Sequence, residues 1–283
     1  MIARYAGGES GARTAARAGS VVVVVDAFRA STTIAVLVSK GARVVPVASV
    51  EEAASAETDF RIGERGSAKV AGFDFGNSPT EILGSEVPPG STVALSTTNG
   101  TRVAEAARGA STILAGAFVN AGILAEELVG GAHDGVEVVV VGCGWDGRRA
   151  SEDEAAAGAI LHRLRSRGAE LDGRARRVVE GYLSRSVRAL RNNSAARRLN
   201  RLGYEGDIEF CLAEDTVPVV PRLVGDAFIG RAAASWRPRQ SSARGQHKKP
   251  RFLLDKGMVR HYPGVSEGGS NVTSSVESAT GRR

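Results

Sequence analysis

Val21-Val22-Val23-Val24-Val25-Asp26-Ala27-Phe28-Arg29-Ala30-Ser31-Thr32-Thr33 is the stretch on which the fold turns. Five consecutive valines predict a strand buried on both faces, the habit of a parallel sheet covered by helices. Such a strand gains nothing from ending in a carboxylate, an arginine and three hydroxyls, so its end is predicted to carry chemistry. Working outward, short apolar runs at 43–47, 60–62, 92–95, 112–114 and 136–141 predict further strands, and helical patterns separate them. That alternation predicts an α/β fold with a mainly parallel or mixed sheet. Residues 32–40 read as a helix closing on Gly41, while Ser49 with Glu52 and Ser151 with Glu154 match the capping box that opens a helix. Residues 1–19 offer no convincing first strand. From Arg174 to Leu202 the chain reads as helical and arginine-rich, broken at Asn192-Asn193-Ser194, its charges a solvated face.

The chain has 283 residues and a formal net charge of +6, but the charge is uneven. From Arg231 onward there are 11 Lys and Arg against 3 Asp and Glu, which leaves 26 basic and 28 acidic residues in 1–230. Residues 1–230 are therefore expected to form the folded domain, either one unit or two intimately packed, related halves, and 231–283 a basic, disordered tail. This distribution argues against specific nucleic-acid binding. Two cysteines, no secretory signal pattern and no apolar run of about 18 residues lead to the expectation of a cytoplasmic protein off the membrane, with homo-oligomers left open.

Ligands of parallel α/β sheets bind where strands hand over to helices, and several polar clusters fall there. Asp26 can bind Mg²⁺, act as nucleophile or cap the helix that follows. Arg29 suits a phosphate or sulfonate, with Ser31 and Thr32 as hydroxyl donors or caps. Gly63-Glu64-Arg65-Gly66 places a carboxylate and an arginine between glycines, making Glu64 a candidate catalytic group and Arg65 a candidate substrate contact. Asn77 and Ser78 lie in an irregular loop over 72–79. Thr97-Thr98-Asn99-Gly100-Thr101 suits a phosphate-cradling turn, which Asn120 repeats more faintly. Gly144 opens the loop to Glu152-Asp153-Glu154, where Glu152 or Asp153 can turn inward beside Asp26 or simply favour the helix dipole. Cys143 and Arg149 satisfy Cys-x5-Arg, but Asp146 between them opposes a thiolate. Asp26-Ala27-Phe28 lacks the second aspartate of the haloacid dehalogenase signature, and the four histidines lie outside every cluster.

Together, Asp26 through Thr33, Gly63-Glu64, the 72–79 loop, Thr97 through Thr101, Asn120, Gly144 through Asp153 and a late stretch with Ser194-Ala195, Leu199, Gly203, Asp207-Ile208, Cys211, Asp215 and Val217-Pro218 resemble the 2-phosphosulfolactate phosphatase family. The resemblance implies a three-layer α/β/α architecture, a link to coenzyme M biosynthesis and Mg²⁺-dependent removal of phosphate from 2-phospho-3-sulfolactate, a small anionic ester, to give 3-sulfolactate. On this reading Asp26, Glu64 and Asp153 are the catalytic candidates and Asp26, Glu152 and Asp153 the metal candidates. Arg29, Ser31, Thr32, Arg65, Asn77, Ser78, Thr98, Asn99, Gly100, Thr101, Asn120 and Gly144 are the candidate substrate contacts. Three departures stand out: Gly142 where the family pattern has cysteine, Arg149 where it has an aromatic residue, and an N-terminus that looks abbreviated. The same chemistry on another phosphocarboxylate, and a non-catalytic anion-binding protein, remain the alternatives.

Overall fold

Val21–Val25 is a strand whose side chains are all buried, Val24 the most exposed at 3%. The structure is a computed structural model that describes residues 1–130 and 135–230. The predicted tail lies outside the described residues. Eleven strands form one sheet: β1 (Ile2–Gly7), β2 (Val21–Val25), β3 (Arg43–Pro46), β4 (Phe60–Arg65), β5 (Ala68–Lys69), β6 (Thr92–Ser96), β7 (Thr112–Ala115), β8 (Val138–Gly142), β9 (Glu170–Leu171), β10 (Arg222–Val224) and β11 (Ala227–Ile229). The helices are α1 (Gly8–Arg17), α2 (Ala30–Ser39), α3 (Val50–Ser55), α4 (Pro79–Gly84), α5 (Gly100–Ala106), α6 (Ala121–Val129), α7 (Ser151–Ser166), α8 (Gly173–Ser184), α9 (Val187–Arg191), α10 (Ser194–Arg201) and α11 (Glu205–Cys211).

Alternation along β2 builds the three layers. Val21, Val23 and Val25 pack into a core with α6, α7, α8, α10 and α11. Val22 and Val24 point the other way, into a core with α1, α2, α4 and α5. Each such valine contributes about 1.5–3 kcal/mol on burial, so β2 anchors both layers.

The strand order is β5-β4-β6-β3-β11-β10-β7-β2-β8-β1-β9. Two blocks are parallel internally: β4, β6 and β3 in one, and β7, β2, β8, β1 and β9 in the other. Between them lies the hairpin β10–β11, antiparallel to both neighbours and bonded to each through one residue pair, Arg222 with Leu114 and Phe228 with Val44. Three antiparallel steps reverse the sense, so the blocks run in opposite directions. Their carboxyl ends nevertheless meet, because a Cβ on Gly100, after β6, would stand 2.9 Å from Asp26 Oδ2, after β2.

Two expectations need correction. Ile2–Gly7 is a strand after all, in register with β8 from Ala3 opposite Val138 to Gly7 opposite Gly142. Of its residues only Ala3 is fully buried, so the strand owes its form to pairing with distant segments and not to an apolar pattern. Ser151 does not cap α7: Ala150 occupies that position, without a side-chain bond. Ser49 does cap α3, accepting from the Glu52 amide. Among the described residues no helix is long and apolar enough to cross a membrane.

Candidate active site

The site begins at the turn from β2 to α2. Asp26 Oδ1 accepts the Ala30 amide at 3.2 Å, a capping contact, while Oδ2 carries no hydrogen bond among the described residues. Ser31 Oγ accepts the Asp26 amide and donates to the Val24 carbonyl, which fixes the strand end. Gly100 allows α5 to press against this turn, since a Cβ there would lie 2.8 Å from Ala30 Cβ.

Glu64, at the end of β4, is buried at 4%. Its Oε1 accepts from both the amide and the hydroxyl of Thr98 at 2.8 Å, and its Oε2 from the Ser67 amide at 2.7 Å. From the other block, Asp153 Oδ1 accepts the Ala27 amide and Oδ2 the Gly144 amide, both at 2.8 Å. Asp153 thus braces the ends of β2 and β8 together. Gly144 adopts φ +75°, and a Cβ there would meet the Arg148 carbonyl oxygen at 2.3 Å, so only glycine fits. Glu152 Oε2 accepts from Asn193 Nδ2 at 2.8 Å, leaving Oε1 without a partner among the described residues.

These four carboxylates line one cavity of about 20 Å³ together with Asn77, Asn99 and Trp145, room for roughly one water-sized sphere. An open cleft of about 1090 Å³ beside β1 and α1 shares Asn99 and Gly144 with it but holds none of the four acids. The titratable groups of the strand ends converge on the small cavity and not on the open cleft, which makes it the candidate site. Burial, then the charges of Glu64 and Glu152, push the Asp26 carboxyl up to about 7, against the pull of the Ala30 amide and Arg29. Burial, then Asp26 and Glu152, hold Asp153 well above the usual carboxylate range, and burial raises Glu152. Among the described residues no three His, Cys, Asp or Glu form a ready metal cluster.

Several predicted contacts are committed elsewhere. Arg29, 2% exposed, pairs with Asp207 at 2.7 Å, donates to the Ser67 carbonyl at 2.7 Å and stacks on Tyr204. Ser78 caps α4 and bonds Asp207. Thr32 bonds the Ala27 carbonyl. The expected cradle at Thr97 through Thr101 is partly filled by its own bonds: Thr98 serves Glu64, and Thr101 bonds Thr97 through amide and hydroxyl. Asn120, fully buried, spends its amide on Ala117, Ala115 and Val219 backbone groups and does not line the cavity. Arg65 is exposed, bonded to the Glu64 carbonyl and Ser96. Asn77 Oδ1 is buried without a partner among the described residues.

Cys143 and Arg149 do not form a phosphate loop. Burial and the charges of Asp26 and Asp153 push the thiol up, and Arg149 pairs outward with Glu154. The sequence reading missed Ser67, Trp145 and Arg198. Arg198, on the helix read as solvated, stacks its guanidinium 3.7 Å from the Trp145 ring and donates to Ser67 Oγ at 2.9 Å. The tryptophan between glycines 144 and 147 was the one available signal.

The family model described as 2-phosphosulpholactate phosphatase matches residues 10–226. Relatives named probable 2-phosphosulfolactate phosphatase include one from Thermotoga maritima, 39% identical over 73% of this chain and 90% of its own length. One from Thermotoga petrophila is 37% identical over the same shares, and one from Gloeobacter violaceus 38% identical over 75% of this chain and 92% of its own. With a match of this extent, and with acids gathered at facing strand ends, the chain belongs to the 2-phosphosulfolactate phosphatase family, whose members are phosphoric monoester hydrolases.

Proposed function

We propose that the protein is a Mg²⁺-dependent phosphatase that hydrolyses 2-phospho-3-sulfolactate to 3-sulfolactate and phosphate. The observation that carries this reading is the convergence of Asp26, Glu64, Glu152 and Asp153 on one cavity, with Asp26 held near 7 by burial and by neighbouring acids. The donor set suits a hard cation. It is all oxygen, with Asp26 Oδ2 and Glu152 Oε1 unengaged and Asn77 Oδ1 buried without a partner. Mg²⁺ needs only one or two carboxylates, completing its shell with water and substrate phosphate, so a ready three-acid cluster is not required. Asp26 and Glu152 would hold the ion, with Asp153 bracing the turn that carries Asp26. When bound, the ion supplies positive charge against the phosphoryl oxygens.

The protein's own residues set the geometry around it. Glu64 ties Thr98 to Ser67 and so fixes the two loops of the β4–β6 block. Asn77 and Asn99 line the cavity with amide groups available to substrate oxygens, while Arg65, next to Glu64 at the end of β4, does not line it. In-line attack by water and attack by Asp26 itself both require Asp26 ionised. We also propose that residues 1–230 carry the activity, so a protein ending at Gly230 should keep kcat/KM within about twofold.

Phosphate release from 2-phosphosulfolactate, phospholactate and the phosphoglycerates, with Mg²⁺ and with chelator, tests the reading. Preferred turnover of the sulfonated ester, abolished by chelator, is expected. Equal turnover without metal would overturn the metal assignment, and preference for another ester would replace the substrate.

A further inference from the structure

We propose that Arg198 is the specificity-determining contact for the second acid group of the substrate, a sulfonate or carboxylate beside the transferred phosphoryl group. The proposal rests on the phosphatase reading for the identity of the substrate but not for the existence of the anion site.

The ion held by Asp26 and Glu152 would answer the phosphoryl charge, which leaves the second acid group of the ester facing an acidic wall unless a side-chain cation is free to meet it. Arg29 is not free, because its charge is paired with Asp207. Arg198 makes no ion pair, and its two terminal nitrogens have no hydrogen-bond partner among the described residues. Its Nε is tethered to Ser67 Oγ, and its plane rests on Trp145; both residues line the cavity. Arg198 is half-buried at the rim of the cavity, held there by two residues of its lining, and Glu152 and Glu64 are near enough for their charges to act on its guanidinium.

The clamp has a physical purpose. A guanidinium binds a sulfonate or carboxylate through two parallel N–H bonds, and holding its plane in advance removes ordering cost at binding. Ser67 is itself fixed, its amide on Glu64 and its carbonyl on Arg29, with φ +74°. The tether is therefore rigid and belongs to the β4–β5 turn, whereas Trp145 belongs to the loop after β8. Arg198 spans the two walls.

The test uses full-length protein carrying Trp236→Phe, so that Trp145 is the sole tryptophan. In Arg198→Gln, the ratio of kcat/KM for 2-phosphosulfolactate over phenyl phosphate should fall by about 100-fold, carried by KM. Arg198→Lys should restore only part of it, because an ammonium lacks the planar fork. Equal losses on both esters, the result of a purely structural brace, would overturn the proposal. Separately, 3-sulfolactate titrated into metal-free protein should change Trp145 emission saturably, with affinity at least tenfold weaker in Arg198→Gln. Unchanged affinity, or no response in the parent, would overturn the proposal whatever the protein hydrolyses. Should Arg198→Gln fail to fold, Ser67→Ala removes only the tether and should weaken the same titration about threefold; an unchanged titration there overturns the clamp. A parent protein that binds 3-sulfolactate, loses that affinity in Arg198→Gln and releases no phosphate from any ester would sink the phosphatase reading and leave the anion site standing.

Discussion

Arg29 and Arg198 reach the same serine, one at the Ser67 carbonyl and the other at its hydroxyl, yet they sit in opposite states. Arg29 is buried, stacked and ion-paired to an Asp207 that also accepts from Ser78 and twice from Thr80. Arg198 is half-buried, stacked and without an ion-pair partner among the described residues. Among the acids the same contrast separates Asp207, whose oxygens are fully engaged, from Asp26, which keeps one oxygen open. The difference teaches that a charge near a site is not thereby a charge for the ligand. Engaged charges hold the walls in place, and open ones are available to chemistry.

The contrast breaks most visibly in stability. Arg29→Met strands Asp207 in a buried setting and should cost about 3–5 kcal/mol, whereas Arg198→Met should cost no more than about 1 kcal/mol. Urea unfolding of both variants decides, and similar losses would erase the distinction. Next in size, Asp26→Asn should lower turnover by roughly 10² or more while the melting temperature holds or rises, because asparagine still accepts the Ala30 amide and removes a buried charge. Near-normal turnover in the folded variant would make Asp26 an engaged residue like Asp207. Gly100→Ala sharpens the point by steric means. Its Cβ would press on Ala30 and Asp26 Oδ2, which should cost roughly 1–3 kcal/mol and reduce activity with it.

The pH response is subtler. Asp26 moves from an ordinary 3.8 when unfolded to about 7 when folded, so between these values the folded protein binds the proton that the unfolded chain releases. The contribution is fully present below about pH 4 and is lost as pH rises through about 7, so metal-free protein should lose stability over that window. Wild type compared with Asp26→Asn isolates this slope from other carboxylates, and saturating Mg²⁺ should flatten it. A slope identical in the two proteins would show that Asp26 is not the group responsible. Smallest of all, Cys143→Ser should keep turnover within about threefold, since burial and two nearby acids disfavour a thiolate. A trapped phosphocysteine would contradict that.

Much of the fold was legible because five valines in a row and apolar runs at strand length carry their own message. The acids at strand ends stood out for the converse reason, since Glu64 has no local cause to follow a buried strand and the cap that Asp26 gives α2 uses only one of its oxygens. What was not legible was decided by distant partners. Ile2–Gly7 becomes a strand only opposite β8, more than 130 residues on. Asn120 looked like Thr97 through Thr101, but the Val219 carbonyl, 99 residues away, claims it. Arg198 looked like its arginine neighbours until Trp145 and Ser67 were beside it.

The hairpin β10–β11 carries a consequence for the making of the protein. Residues 222–229 are the last of the sheet, and each of their outer ladders rests on one residue pair. During synthesis at roughly 5–20 residues per second, the facing edges of β7 and β3 stay open for roughly 5–20 s and 10–35 s before the closing strands exist. Exposed edges in that interval can pair with other nascent chains. The site needs both blocks, so acids complete by residue 153 are held in place by strands made about 70 residues later.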